Sequence, residues 1–326
     1  MSDMPKPHRE WARTIHTITI GATREDGGSR SSCVKIGGSA TLPFHHFEGS
    51  MPNRPAIAME ITDIAPTDWP EELAKHSAAV MHDPASWART CASEFVPDLL
   101  CLRLTGCDPN GEDRSPAQAA EVACAVRDAM GLPMIIWGCG DSEKDADVFP
   151  AVAEALAGER CLLGTITEKS YRTLTALGTA YGHGVIAESP VDINMAKQIN
   201  ILALDAGFPE DRLVIYPTTG ALGYGIEYVV SIMERLRIGG LQGDGLVAMP
   251  MVADVGREVW SVKEAGATQD EVPTWGDVKH RGAAWETATA VTYLHAGADL
   301  VILRHPEAVT STRAAIDELM EGAHSD

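Results

Sequence analysis

The sequence is poor in positive charge. Its 326 residues carry 26 Lys plus Arg against 46 Asp plus Glu, a formal net charge of −20. Nucleic-acid and anionic-membrane surfaces need concentrated basic side chains, so neither partner is expected. Long apolar runs are missing too. No stretch approaches the roughly 20 apolar residues that cross a bilayer, and the start, MSDMPKPHRE, has no apolar signal core. A soluble, cytoplasmic protein is expected. The seven cysteines (33, 91, 101, 107, 124, 139 and 161) are scattered, odd in number and without a CxxC. An iron–sulfur cluster needs four closely spaced thiolates, so none is expected in this chain. Buried reduced thiols are the ordinary reading. Cys139, between two glycines at a strand end, is kept as a candidate.

Several chemical signatures are also absent. The first turn after an apolar run is Asp63-Ile64-Ala65-Pro66, not a glycine-rich dinucleotide loop. There is no HExxH or His-x-His, and the adjacent His45-His46 cannot share a helix face. No strand end shows the paired carboxylates of a glycosidase. Lys169 lies beyond a strand, so a Schiff-base lysine is not evident. The DxHxxG of a cobalamin domain does not occur. The strand-end loops look largely uncharged, which favours binding or capping over covalent or metal catalysis.

What is present is alternation. Short apolar runs begin near Ile57, Leu99, Met134, Cys161, Gly184, Leu213, Leu246 (LVAM) and Leu300, each apolar on both faces, as parallel strands covered on both sides read. Helical spacing fills the gaps, as in Tyr171, Leu174, Leu177 and Tyr181. Asp192 suits a helix N-cap, and Gly131-Leu132-Pro133 suits a helix end, with glycine expected in the left-handed region. Eight strand–helix pairs match an α/β (β/α)8 TIM barrel over residues 56–326. Residues 1–55 precede it as an N-terminal β-hairpin extension, with Thr17–Ala22 and Ser31–Gly37 alternating about Gly27-Gly28. That hairpin is expected to plug the barrel bottom or join a partner's sheet edge.

A barrel builds its site from the loops after its strands. The most unusual is Pro217 to Gly225 (PTTGALGYG), where three glycines permit close approach of a flat ligand or another backbone. A merely flexible loop and a phosphate loop are the competing readings, the latter without the Lys-Ser/Thr of a Walker motif. The long segment 254–280, with Trp260, Lys263, Trp275 and Lys279, suits a lid or binding surface. His305 suits an acid/base group, a ligand or a packing residue.

The segments FEGSMPNRP (47–55), IAESPVDIN (186–194), PTTGALGYG (217–225), Met233-Glu234-Arg235 and Arg304 to Ala308 together resemble one family. It is the small subunit of the corrinoid/iron–sulfur protein, the delta subunit of acetyl-CoA decarbonylase/synthase, and the likeness runs from about residue 16 to 321. The resemblance implies a barrel paired with a larger subunit that carries the [4Fe–4S] cluster and the cobalamin (corrinoid) domain. That pair would take a methyl group from methyltetrahydrofolate through a separate methyltransferase and deliver it to acetyl-CoA synthase. The small subunit would cap the corrinoid, with Thr218, Thr219, Gly220, Leu222 and Tyr224 facing it and Cys139 and Met251 nearby. Tyr216 stands where this family leads one to expect Asp, so a related corrinoid methyl pathway is an alternative. A pterin-binding methyltransferase barrel and a purely structural subunit are the others.

Overall fold

A computed structural model describes residues 9–220 and 223–321. Two strands form the antiparallel hairpin, β1 (Thr17–Ile20) and β2 (Val34–Gly37), with Ile18 opposite Ile36. Eight parallel strands follow: β3 (Ala56–Thr62), β4 (Leu99–Arg103), β5 (Met134–Trp137), β6 (Leu162–Ile166), β7 (Gly184–Glu188), β8 (Leu213–Tyr216), β9 (Val252–Asp254) and β10 (Leu300–Leu303). They pair in the order β8-β7-β6-β5-β4-β3-β10-β9. A single parallel bridge, Ile215 to Met251, joins β8 to the start of β9 and all but closes the barrel. The expected TIM-barrel architecture is present.

The strands have buried side chains on both faces because they serve two cores. Ile57, Met59 and Ile61 of β3 point outward and pack with helix residues such as Val126, Phe149 and Ile316. Ala56, Ala58, Leu99, Cys101, Ile135, Leu162, Ile186, Val214, Leu300 and Ile302 point inward. Ile18, Ile20 and Ile36 of the hairpin belong to that same inner core and are at most 1% exposed. The hairpin therefore plugs the barrel at the N-terminal ends of its strands, where Gly21 N–H donates to Arg160 O and His16 N–H to Ala248 O.

Local signals explain most boundaries. Asp192 caps the helix Ile193–Asp205 by accepting from the N–H groups of Asn194 (2.7 Å) and Met195 (3.3 Å). Ser115 and Gln118 form a reciprocal capping box at Pro116–Ala129. Gly131 ends that helix for a different reason than expected, because its φ is not positive. A Cβ there would collide with Ser31 of the hairpin, so close approach, not handedness, requires glycine.

One strand lies elsewhere than its hydrophobicity indicates. LVAM is not the seventh barrel strand: Gly245–Val247 is a 3-10 turn capped by the Asp244 side chain, and Val247 and Met249 pack in the outer core. The strand is the shorter Val252–Asp254, after Pro250. Met251 consequently sits at the bottom end of β9, 1% exposed, its N–H donating to Asp299 Oδ2 at 2.9 Å.

Candidate functional site

Side chains alternate across a strand with a period of two, so the inward row of each strand continues to its C-terminal end. There the row turns polar: Glu60 on β3, Arg103 on β4, Asp254 on β9 and Arg304 just past β10, with Trp137 on β5 and Tyr216 on β8. Glu60 is fully buried and bonds two arginines. Its Oε2 accepts from Arg103 Nε (2.8 Å) and Nη2 (2.6 Å), and its Oε1 lies 2.8 Å from Arg304 Nε and 2.6 Å from Nη2. Arg103 Nη2 also reaches Asp254 Oδ2 at 2.7 Å. Burial opposes ionisation of Glu60, but Arg103 and Arg304 outweigh it and hold the carboxyl down at about 2.

Aromatic rings complete this floor. Trp137 and Tyr216 meet edge to face with centroids 5.1 Å apart, and the Arg103 guanidinium lies 4.9 Å from the Trp137 ring. Burial keeps the Tyr216 phenol protonated by pushing its pKa up. Its oxygen lies 3.2 Å from Thr219 Oγ1, which donates to Asp254 O at 2.7 Å. A neutral phenol therefore ties the start of the 217–225 loop to β9.

Glu286, on the helix Val278–Ala296, reaches the same end of the barrel. It accepts from Trp260 Nε1 (2.8 Å), Arg304 N–H (2.5 Å) and His305 N–H (3.2 Å), and burial pushes its carboxyl up to about 7. His305 is 1% exposed, stacks on Trp260, and accepts at Nδ1 from Glu307 N–H at 3.1 Å. Burial, with His76 beside it, holds the imidazole down at about 4, so it is a neutral packing residue at neutral pH.

Among the described residues, two cavities lie above the floor. The larger, about 540 Å³, is bordered by Thr62, Trp69, Arg103, Cys139, Arg257, Trp260 and Arg304 among others. The smaller, about 360 Å³, is rich in hydroxyls, with Thr165, Thr167, Ser170, Tyr216 and Thr218 beside Glu188 and Glu258. Arg257 borders both.

The residues singled out from sequence separate. Thr218, at φ 44°, and Gly220 line the smaller cavity. Tyr224, on the same loop, is 89% exposed. Cys139 lines the larger cavity; burial pushes its thiol up to about 12 and it donates to Asp145 Oδ1 at 3.3 Å. Thr219 is fully buried and ties the loop down instead of facing a cavity. Met251 is at the opposite end of the barrel, because its strand begins later than LVAM indicates. Leu222 lies outside the described residues. The expectation of a largely uncharged mouth is overturned by Glu60, Arg103, Asp254, Glu286 and Arg304. A single charged residue ending an apolar run, at an inward spacing from the residues before it, was the available signal.

The family model for the CO dehydrogenase/acetyl-CoA synthase delta subunit matches residues 17–312. The chain belongs to that family. A delta subunit of the acetyl-CoA decarbonylase/synthase complex from Methanocaldococcus jannaschii is 35% identical over 312 residues, covering 95% of this chain and 75% of the relative. That of Archaeoglobus fulgidus is 35% identical over 320 residues, covering 96% and 70%. As a delta-subunit family member, the chain is a component of a multi-subunit assembly. Among solved structures, dihydropteroate synthase from Coxiella burnetii, in complex with pteroic acid, superposes with a TM-score of 0.56 at 15% identity, covering 87% of this chain and 99% of that one. The Xanthomonas albilineans enzyme with 4-aminobenzoic acid gives 0.55 at 16% identity, covering 85% and 96%. These likenesses establish the barrel fold of the delta subunit and nothing about its ligands. No helix among the described residues is long and apolar enough to cross a membrane.

Proposed function

We propose that this delta subunit covers the reactive face of a corrinoid held mainly by a larger, iron–sulfur-bearing partner subunit. In this reading the pair carries a methyl group from methyltetrahydrofolate, through its methyltransferase, to acetyl-CoA synthase. The supporting observation is the filled barrel axis. The Trp137–Tyr216 pair and the Glu60–Arg103–Asp254 cluster occupy it just below the mouth, so a broad flat ligand rests across the rim and does not enter.

The residues present fit such a group. Thr218, Gly220 and the exposed Tyr224 supply uncharged groups on a loop whose cavity also holds Glu188, Arg257 and Glu258, and Cys139 is held as a thiol that donates to Asp145 instead of competing as a thiolate ligand. His305 is buried against Trp260 and offers no imidazole to the mouth. When bound, the corrinoid supplies the cobalt that accepts and passes on the methyl group. The chain's own part is to exclude water and oxygen from that face.

A pterin-binding methyltransferase needs free carboxylate or amide groups at the strand ends. Here Glu60 is committed to two arginines and Asp254 Oδ2 to one, leaving Asp254 Oδ1 as the floor's buried carboxylate oxygen without a partner, and indole and phenol fill the centre. The test is co-expression with the larger subunit. The pair should hold stoichiometric corrinoid absorbance, while the lone chain should not. Tyr224→Ala combined with Thr218→Ala should speed air oxidation of the reduced corrinoid severalfold without changing corrinoid content. Unchanged oxidation rates, or tight corrinoid on the lone chain, would sink the capping role. Calorimetric binding of methyltetrahydrofolate by the lone chain would favour the pterin reading instead.

A further inference from the structure

The larger cavity at the mouth carries a feature that corrinoid capping does not use. Three arginines, Arg103, Arg257 and Arg304, border it, with the indoles of Trp69 and Trp260. Arg304 stacks 5.0 Å from the Trp69 ring while its Nε and Nη2 face Glu60. Arg103 is 3% exposed. Its Nε and Nη2 are taken by Glu60 and Asp254, but its buried Nη1 has no hydrogen-bond partner. A buried, charged donor without an acceptor is unfavourable by itself. It becomes favourable when an oxyanion reaches it.

The charge balance points the same way. Glu60 and Asp254 neutralise Arg103 and Arg304 from below. Asp68 and Asp108 also border the cavity, Asp68 exposed to solvent like Arg257 and Asp108 accepting from Asn110, and Glu258 follows Arg257 in the chain and feels its charge. Arg257 forms no hydrogen bond or ion pair among the described residues, and it is exposed at the boundary of the two cavities. The Arg257 guanidinium, without a hydrogen bond of its own, and Arg103, with an unsatisfied nitrogen, thus border one cavity together with two indoles.

We propose that this cavity binds a small organic oxyanion, a carboxylate or phosphate ester with a flat apolar body. Its charged end sits between Arg257 and Arg103 Nη1, and its body lies against Trp69 and Trp260. The volume of about 540 Å³ lies within the range of small-molecule sites. The site goes beyond the corrinoid reading and stands without it.

Calorimetry and tryptophan fluorescence on the full chain test the proposal, with benzoate and inorganic phosphate as separate probes. Saturable binding of benzoate identifies a carboxylate source and of phosphate a phosphoryl source. In either case a dissociation constant at or below about 1 mM is expected. Arg257→Gln, at an exposed position that leaves the fold intact, should weaken binding by roughly tenfold or more. Arg103→Lys keeps a cation for Glu60 and Asp254 but removes Nη1 and should also weaken binding. Arg235→Gln, on an exposed face of the helix Ile226–Leu241, should leave it unchanged. No saturable binding of either probe, or binding unaffected by Arg257→Gln, overturns the assignment.

Discussion

Replacing Glu60 by Gln removes the anion that holds two buried arginines at the barrel floor, and its effect can be worked out in two independent ways. Glu60 is fully buried with four nitrogen contacts of 2.6–2.8 Å. Breaking a buried pair by removing one partner is destabilising by about 3–5 kcal/mol, since the other charge is left uncompensated. The titration route gives a similar figure. The carboxyl falls from the ordinary 4.5 to about 2 in the fold, which ties about 3 kcal/mol of stability to its ionised form. The sign follows from the direction: a depressed carboxyl stabilises fully above its unfolded pKa, and this is lost as pH falls from 4.5 through about 2. Urea unfolding of both proteins at pH 7 should show Glu60→Gln less stable by about 3 kcal/mol with an unchanged slope. At pH 3.5 the difference should shrink by about 1 kcal/mol. Glu286 and His305 titrate in both proteins, so the difference isolates Glu60. A variant within about 0.5 kcal/mol of the parent at pH 7, or a difference that does not change with pH, would refute the argument.

Other outcomes follow from the same geometry. The His305 imidazole, held at about 4 by burial, should stay neutral to pH 5.5 with its proton on Nε2, as NMR of the ring nitrogens will report. Because its unfolded counterpart protonates near 6.5, this residue lowers stability progressively as pH falls below that value. Cys139, its thiol pushed up to about 12, should alkylate at pH 8 at least about a hundredfold more slowly in the native than in the unfolded chain, measured by mass spectrometry. Gly282→Ala would drive a Cβ into the Trp260 ring. It should destabilise the fold by about 1–3 kcal/mol and shift tryptophan emission. Ile36→Ala in the plug, fully buried in the inner core, should cost about 2–5 kcal/mol in denaturant melts.

The barrel was legible because β3 to β8 and β10 are apolar on both faces, and a strand between an inner and an outer core has no other pattern available. The hairpin was legible from alternation, and its role as a plug follows once Ile18, Ile20 and Ile36 meet the inner row. The seventh strand was not. LVAM is more hydrophobic than VAD, yet Asp244 caps a turn there and Asn200 Nδ2 holds Leu246 O at 2.7 Å, so the run is buried against helices. Burial alone does not distinguish a strand from a packed turn. Misplacing that strand moved Met251 to the wrong end of the barrel.

The charged floor escaped for a related reason. Glu60 and Arg103 sit inside IAMEIT and LLCLRL, where the surrounding apolar residues draw attention away from one charge each. Their meaning emerges only when β3, β4, β9 and β10 become neighbours and bring Glu60, Arg103, Asp254 and Arg304 together from positions up to 244 residues apart. The same convergence divides the barrel interior into two layers. Below, the hairpin seals an apolar core; above, paired charges and two rings close the axis. The floor that closes the axis keeps one Arg103 nitrogen and one Asp254 oxygen unsatisfied, so a ligand approaching this end of the barrel would rest on that floor and not pass into the interior.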